Sequence, residues 1–155
     1  MRTRSTLAAL TTLLACAAAP AAHAAIAYAP CDPAGYQCGT LSVPLDRTGA
    51  VPGTVTLSAK RVVSANNPTQ SAVVGLAGGP GQAAIPNAQS FARIAATGLA
   101  TRDLLVFDQR GTGASGRLRC SAFEGPSIST VSTVNACAQE LGAARGLYRT
   151  ADSVD

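Results

Sequence analysis

A glycine-rich stretch offers the first recognisable chemistry in this sequence. Gly78, Gly79 and Gly81 surround Pro80 and are followed by Gln82. Glycine tolerates positive φ and lets the backbone approach a ligand closely, so such a loop can cradle a phosphate or direct N–H groups at an oxyanion. The G-K-[S/T] sequence of a phosphate-binding P-loop does not follow it. Two interpretations stay open: an oxyanion-binding loop formed by these glycines and Gln82, or a tight turn without chemistry.

A second glycine motif consists of Gly111, Gly113 and Gly116 and matches G-x-G-x-x-G. A dinucleotide-binding site needs an amphipathic helix directly after this motif and an acidic residue about 20 positions later. The sequence that follows, RLRCSAFEGP, has no helical periodicity. Dinucleotide binding is therefore the weaker interpretation.

Ser115 lies within the second motif and is a nucleophile by residue type. The strained turn that exposes a catalytic serine reads G-x-S-x-G, but Arg117 occupies the place of the second glycine. A nucleophilic serine also needs an imidazole as its base, and the sole histidine of the chain is His23. We expect Ser115 to be a turn residue.

Two charged side chains of opposite sign, Asp108 and Arg110, follow the apolar run at residues 104–107. A catalytic role for Asp108 would require a histidine partner. We expect instead a structural ion pair or a turn-capping network at the end of a strand.

Residues 1–24 have the composition of an export signal. Arg2 and Arg4 precede an apolar run, and an A-x-A cleavage pattern lies at residues 22–24. The apolar run is shorter than the roughly 20 residues that a membrane-spanning helix needs. An alternative is lipidation at Cys16, which ends a lipobox-like sequence and would anchor the protein to a membrane. Either interpretation predicts an exported protein, periplasmic or extracellular, without histidine in residues 25–155.

Four cysteines follow this segment: Cys31, Cys38, Cys120 and Cys137. Exported proteins meet an oxidising compartment, so an even number of cysteines favours disulfides. Three connectivities are open, and we predict the local pairs Cys31–Cys38 and Cys120–Cys137. No C-x-x-C is present and no histidine accompanies these cysteines, so we expect no metal site.

The order of elements predicts an α/β fold. Hydrophobic alternation and apolar runs indicate strands, and 3.6-residue periodicity indicates helices. The prediction is an edge strand at 39–45, a strand at 54–63 paired antiparallel with it, a strand at 71–76 buried on both faces, a helix at 87–99, a buried strand at 103–108, a turn at 109–116 and a helix at 131–141. We expect the later strands to be parallel and the helices to cover them.

Three apolar stripes are expected to face the core of this fold. On the second strand the stripe is Val55, Leu57 and Ala59; on the first helix it is Phe91, Ile94, Ala95 and Leu99; on the last helix it is Val131, Val134, Cys137 and Leu141.

Composition excludes two classes of protein. Of the 155 residues, 47% are hydrophobic and 13% are charged, which is inconsistent with intrinsic disorder. The formal net charge is +4, but the basic residues are scattered and form no run. We therefore expect no nucleic-acid partner.

Several segments together resemble a known family. LAGGPGQAA, from Leu76, resembles the HGGPG oxyanion loop of proline-iminopeptidase-like α/β hydrolases, with Ala77 where the family has histidine. DLLVFDQRGTGASG, from Asp103, resembles their DQRGTGxS segment. CGTLSVPLDR, from Cys38, and the CAQELG and LYRTADSVD segments resemble the exported tripeptidyl-aminopeptidase branch.

This resemblance implies a fold and an activity. It implies that residues 25–155 are the N-terminal portion of an α/β-hydrolase domain, a β-hairpin followed by parallel strands and helices that stops before the nucleophile elbow. It implies a serine hydrolase without cofactor, an aminopeptidase acting on peptides or small esters and amides, with the Gly79 N–H in the oxyanion hole. The catalytic Ser, Asp and His are then expected outside this piece, which would be inactive alone. A non-catalytic exported binding module is the main alternative.

Overall fold

The computed structural model describes residues 25–79, 81–125 and 130–154. Short 3₁₀ turns lie at Ile85–Asn87, Gly98–Ala100, Ser121–Phe123 and Gly142–Gly146. The strands and helices of this described part are β1 (Ala27–Cys31), β2 (Tyr36–Pro44), β3 (Thr54–Val62), β4 (Ala72–Gly75), α1 (Ala88–Ile94), β5 (Asp103–Phe107), α2 (Val131–Leu141) and α3 (Thr150–Val154).

The strands form one mixed sheet in the order β1-β2-β3-β5-β4. Strands β1, β2 and β3 are antiparallel neighbours, and β3 is also antiparallel to β5. Strand β4 runs parallel to β5, with Val74 opposite Leu105. Because β4 and β5 are parallel and a helix connects them, the chain has the expected α/β architecture. The predicted antiparallel pairing of β2 with β3 is confirmed.

The prediction that the strand at residues 39–45 lies at an edge is wrong. The structure extends this strand to Tyr36–Pro44 and pairs β1 with its outer side. Strand β1 has the sequence AYAPC, in which no apolar alternation stands out. Its pairing with β2 is accompanied by the Cys31–Cys38 disulfide, a tertiary constraint that periodicity does not encode.

The buried core lies between the centre of the sheet and α1. Leu104 and Val106 of β5 are 1% exposed and pack with Ala84 and Ala88. Phe91, together with Leu99 and other partly buried residues, packs against this cluster. The buried strand predicted at 103–108 is thus confirmed, with observed bounds of Asp103–Phe107.

Strand β4 is not buried on both faces as expected. Val74 and Leu76 are 49% and 57% exposed. Within the described residues β4 pairs only with β5, so its other edge is open. A short apolar run predicts a buried strand only if neighbours cover it, and the described residues do not cover this one.

The helix predicted at residues 87–99 is shorter than expected. Helix α1 ends at Ile94, and a 3₁₀ turn at Gly98–Ala100 follows. Ile94, predicted to face the core, is 85% exposed, whereas Ala88 takes the buried position. The shift of the buried stripe follows from the way α1 sits on β4, where the ring of Phe91 lies directly over Gly75.

Helix α2 has the predicted bounds but not the predicted burial. None of its described side chains is buried, and Val131 is 79% exposed. Its main contacts are with the 3₁₀ turns that flank it in the chain. Of the predicted apolar stripe, Val131 and Val134 are exposed, and Cys137 and Leu141 are only partly buried by the described part of the molecule.

Both predicted disulfides are present. Cys31 pairs with Cys38 and Cys120 with Cys137, with Cα–Cα distances of 5.7 and 5.2 Å. The second bond joins α2 to the segment after β5, and Ser121 adds hydrogen bonds to Glu140 of α2 from its N–H at 3.0 Å and its hydroxyl at 2.9 Å. The disulfide is thus a principal link between α2 and the sheet.

The export signal at residues 1–24, the alternative lipidation site Cys16 and the loop residue Pro80 lie outside the described residues. In the part of the chain that is described, no helix is long and apolar enough to cross a membrane.

Candidate functional site

Two loops meet at the carboxyl ends of β4 and β5. The glycine loop, residues 76–84, follows β4 and leads into the 3₁₀ turn that begins at Ile85, and the DQRG turn, residues 108–116, follows β5. Because β4 and β5 are adjacent and parallel, both loops leave the sheet at the same edge. Ligand sites of open α/β sheets lie at this edge. The sheet thus brings the two sequence motifs together.

The glycine loop has a conformation that suits glycine. Gly79 and Gly81 have φ of +77° and +89°, a region that other L residues enter at a cost. A Cβ at Gly78, Gly79 or Gly81 would meet no atom within 4 Å. Backbone conformation, and not lack of space, therefore explains the glycines at positions 79 and 81.

The N–H groups of Gly78, Gly79 and Gly81 have no acceptor within the described part of the chain. Among the described residues, Gly78, Gly79 and Gly81 donate no backbone or side-chain hydrogen bond, and these glycines and Gln82 are exposed. Free N–H groups of this kind can donate to an anionic oxygen of a ligand.

The Asp108 carboxylate joins the two loops. Its Oδ1 accepts hydrogen bonds from the N–H groups of Ala84 and Ile85, at 2.7 and 2.8 Å. Its Oδ2 accepts one from the N–H of Ala114 at 2.8 Å. The residue is 1% exposed. Of the two expectations for Asp108, the turn-capping network is the one observed.

The alternative expectation, an ion pair between Asp108 and Arg110, is not observed. Arg110 is also buried, but its guanidinium donates to the carbonyl oxygens of Leu147 at 2.9 Å and Pro44 at 3.0 Å. These bonds fasten the segment before α3 to the end of β2. Sequence reasoning missed them because both acceptors are backbone groups far away in the chain.

Ser115 is a buried turn residue. It is 0% exposed, its Oγ donates to the carbonyl oxygen of Asp108 at 2.7 Å, and it accepts from the N–H of Ser58 at 2.9 Å. A side chain in this position cannot reach a substrate. The structure agrees with the expected turn role.

The G-x-G-x-x-G motif forms a tight turn. Gly111, Gly113 and Gly116 all have positive φ. A Cβ at Gly111 would crowd the ring of Tyr148, and one at Gly113 would overlap the carboxylate of Asp108. No helix begins in the described residues directly after the turn, so the helix N-terminus that binds pyrophosphate in dinucleotide sites is not formed there. Close packing accounts for Gly111 and Gly113, and the positive φ accounts for Gly116.

Asp103, at the opposite end of β5, was not singled out from the sequence. Its Oδ1 accepts from the N–H of Ser64 at 2.9 Å and from the side-chain amide of Asn67 at 3.0 Å. These two bonds, the Ser64 bond foremost, lower the pKa of Asp103 below its ordinary value. The carboxylate closes the loop before β4 and lies away from the glycine loop. The signal that could have found it is the N-N-P turn that precedes β4.

An open cleft of about 680 Å³ borders the DQRG turn. It is lined by Ile85, Pro86, Asp108, Gly113, Ala114, Gly116, Arg117 and Arg119. The cleft is large enough to hold a short peptide side chain or a small ester. In the ranges 25–79, 81–125 and 130–154, no three His, Cys, Asp or Glu side chains lie close enough to hold a metal ion.

No protein-family model matches this chain. No curated protein matches it either.

Proposed function

We propose that this chain supplies the oxyanion-binding loop of an exported serine hydrolase with the α/β-hydrolase fold. The proposed activity is that of an aminopeptidase of the proline-iminopeptidase or tripeptidyl-aminopeptidase type, acting near the N-terminus of peptides. The observation that carries the proposal is the glycine loop at the carboxyl end of β4, where the N–H groups of Gly78, Gly79 and Gly81 make no bond to another described residue. The sequence resemblance of the two loops supports the same assignment.

The connection made by the loop supports the proposed fold. In α/β hydrolases one oxyanion donor comes from the loop between a core strand and the first helix, and the other follows the nucleophile. The glycine loop here joins β4 to the segment of α1. The open edge of β4 leaves room, among the described residues, for a further parallel strand that carries the nucleophile at its own carboxyl end.

In the proposed reaction a serine Oγ attacks the carbonyl carbon of the substrate. The carbonyl oxygen becomes an oxyanion, and the Gly79 N–H donates a hydrogen bond to it. A histidine takes the serine proton and returns it to the leaving amine. Residues 25–155 contain no histidine, so the imidazole has to come from outside this range.

Labelling with a fluorophosphonate, which reacts with activated serines, tests the proposal. We expect the polypeptide from the complete native reading frame to be labelled, and its sequence after Asp155 to contain a G-x-S-x-G elbow, then Asp and His. Residues 25–155 expressed alone should remain unlabelled, because they lack an imidazole. A native product that is stable, secreted and unlabelled would contradict the proposal and favour a binding module. Stoichiometric labelling of residues 25–155 alone would contradict the assigned roles.

A further inference from the structure

The glycine loop is fixed by few contacts of its own. The N–H groups of Gly78, Gly79 and Gly81 make no bond within the described part of the chain. After these glycines, the N–H groups of Ala84 and Ile85 are the first that the described structure holds. Both are held by the same atom, Asp108 Oδ1.

The bonds to Asp108 differ from ordinary turn bonds in strength. The carboxylate is buried, and the ion pairs found among the described side chains, Arg119–Glu124 and Arg149–Asp152, do not include it. Three backbone N–H dipoles surround the two oxygens instead. Hydrogen bonds from N–H groups to a charged acceptor are roughly twice as strong as neutral ones. Asp108 is therefore a stiff junction between the two loops.

Gly113 supplies an independent observation. The backbone of the DQRG turn passes so close to Asp108 that a Cβ at Gly113 would overlap its carboxylate and crowd the Cβ of Ala83. A side chain at this position would displace the carboxylate and the Ala83 side chain. The turn is thus shaped to receive the carboxylate and the end of the glycine loop together.

We propose that Asp108 is the positioning residue of the glycine loop: through Ala84 and Ile85 it sets the direction of the N–H groups of Gly78, Gly79 and Gly81, and through Ala114 it couples them to the DQRG turn. Only the effect of this positioning on catalysis rests on the proposed function. The positional role itself can be measured in the absence of any activity.

Amide NMR of the ¹⁵N-labelled chain tests this role through Asp108→Ala and Asp108→Asn. In Asp108→Ala we expect the amide resonances of Gly78, Gly79 and Gly81 to move. Exchange of the Ala84 and Ile85 amides should become about 10- to 100-fold faster, because each loses a bond to a charged acceptor. In Asp108→Asn the Oδ1 acceptor remains, so the loop resonances should return most of the way.

Asp103→Asn is the matched control, since Asp103 also accepts N–H bonds at the other end of β5. It should leave the glycine-loop resonances unchanged. If Asp108→Ala does not fold, Gly113→Ala displaces the carboxylate without removing it. Its control is Gly116→Ala, which also has positive φ but meets only Val55 at 3.6 Å.

Loop resonances that stay in place in folded Asp108→Ala, or in folded Gly113→Ala, would overturn the proposal. Resonances that move equally in Asp103→Asn would also overturn it, because the effect would then be general destabilisation. These outcomes are independent of fluorophosphonate labelling. A labelled native enzyme with unmoved loop resonances would reject only the role of Asp108, and moved resonances in an unlabelled protein would reject only the proposed hydrolase.

Discussion

Substitution of Ser115 by alanine should destabilise the fold strongly, although the side chain is small. Its Oγ donates to the carbonyl oxygen of Asp108 and accepts from the N–H of Ser58, and the residue is fully buried. Alanine would leave both backbone groups without a partner. An unsatisfied buried polar group costs about 1–3 kcal/mol. Because the bond from the Ser58 N–H is only partly buried, the expected loss for the two groups together is about 2–4 kcal/mol of unfolding free energy.

Urea denaturation followed by far-UV circular dichroism measures this loss. With a slope of about 2 kcal/mol per molar urea, the midpoint should fall by about 1–2 M. Ser58→Ala is the matched control: the Ser58 hydroxyl donates to the Ala114 carbonyl at 3.1 Å from an exposed position, and its loss should cost less than about 1 kcal/mol. Equal midpoints for Ser115→Ala and the wild type would refute the structural role of Ser115.

The remaining predictions concern the glycine loop, α2 and the unfolding free energy at acidic pH. Gly79→Val should lower kcat of the complete enzyme about 10²–10³-fold. Gly49 has the same φ of +77° in an exposed turn, and Gly49→Val should leave kcat unchanged. Equal kcat values in the two variants would contradict the oxyanion role. Replacing Cys120 and Cys137 by serine should make hydrogen exchange of the α2 amides faster, because no described side chain of α2 is buried. The same change at Cys31 and Cys38 should leave exchange of the α2 amides unchanged. Protected α2 amides in the first variant would show that packing, not the disulfide, holds the helix. N–H donors lower the pKa of Asp103, so its contribution to stability is present above the ordinary carboxyl pKa and is lost as pH falls through the lowered value. Below about pH 4, the unfolding free energy of Asp103→Asn should therefore change less with pH than that of the wild type. Parallel pH profiles of the two proteins would disprove this contribution.

Local sequence features located most elements correctly. Alternation in the second strand predicted Val55 and Ala59 as inward residues, and both are buried. The apolar run before Asp108 predicted the buried strand β5. The bounds of α2 follow from its periodicity and from Thr130, whose side chain caps the helix by accepting from the N–H of Thr133. Each of these features depends on residues that are close together in the chain.

The errors arose where distant residues decide the outcome. The position of β2 inside the sheet depends on its pairing with β1, and the exposure of Ile94 depends on how α1 packs over Gly75. The partners of Arg110 are backbone carbonyls 37 and 66 residues away in the chain. Periodicity contains no information about such partners.

The sequence by itself determined the alternation of strands and helices, the local disulfide pairs and the two glycine loops, because residue type and short-range spacing control backbone conformation and loop closure. The tertiary structure alone decided that both loops meet at one edge of the sheet. Parallel pairing of β4 with β5 brings together residues 31 positions apart in the chain, such as Ala72 and Asp103. The three N–H bonds to Asp108 exist only after that pairing forms. Hydrogen bonds between distant backbone groups depend on sheet register, which emerges from the packing of the whole chain.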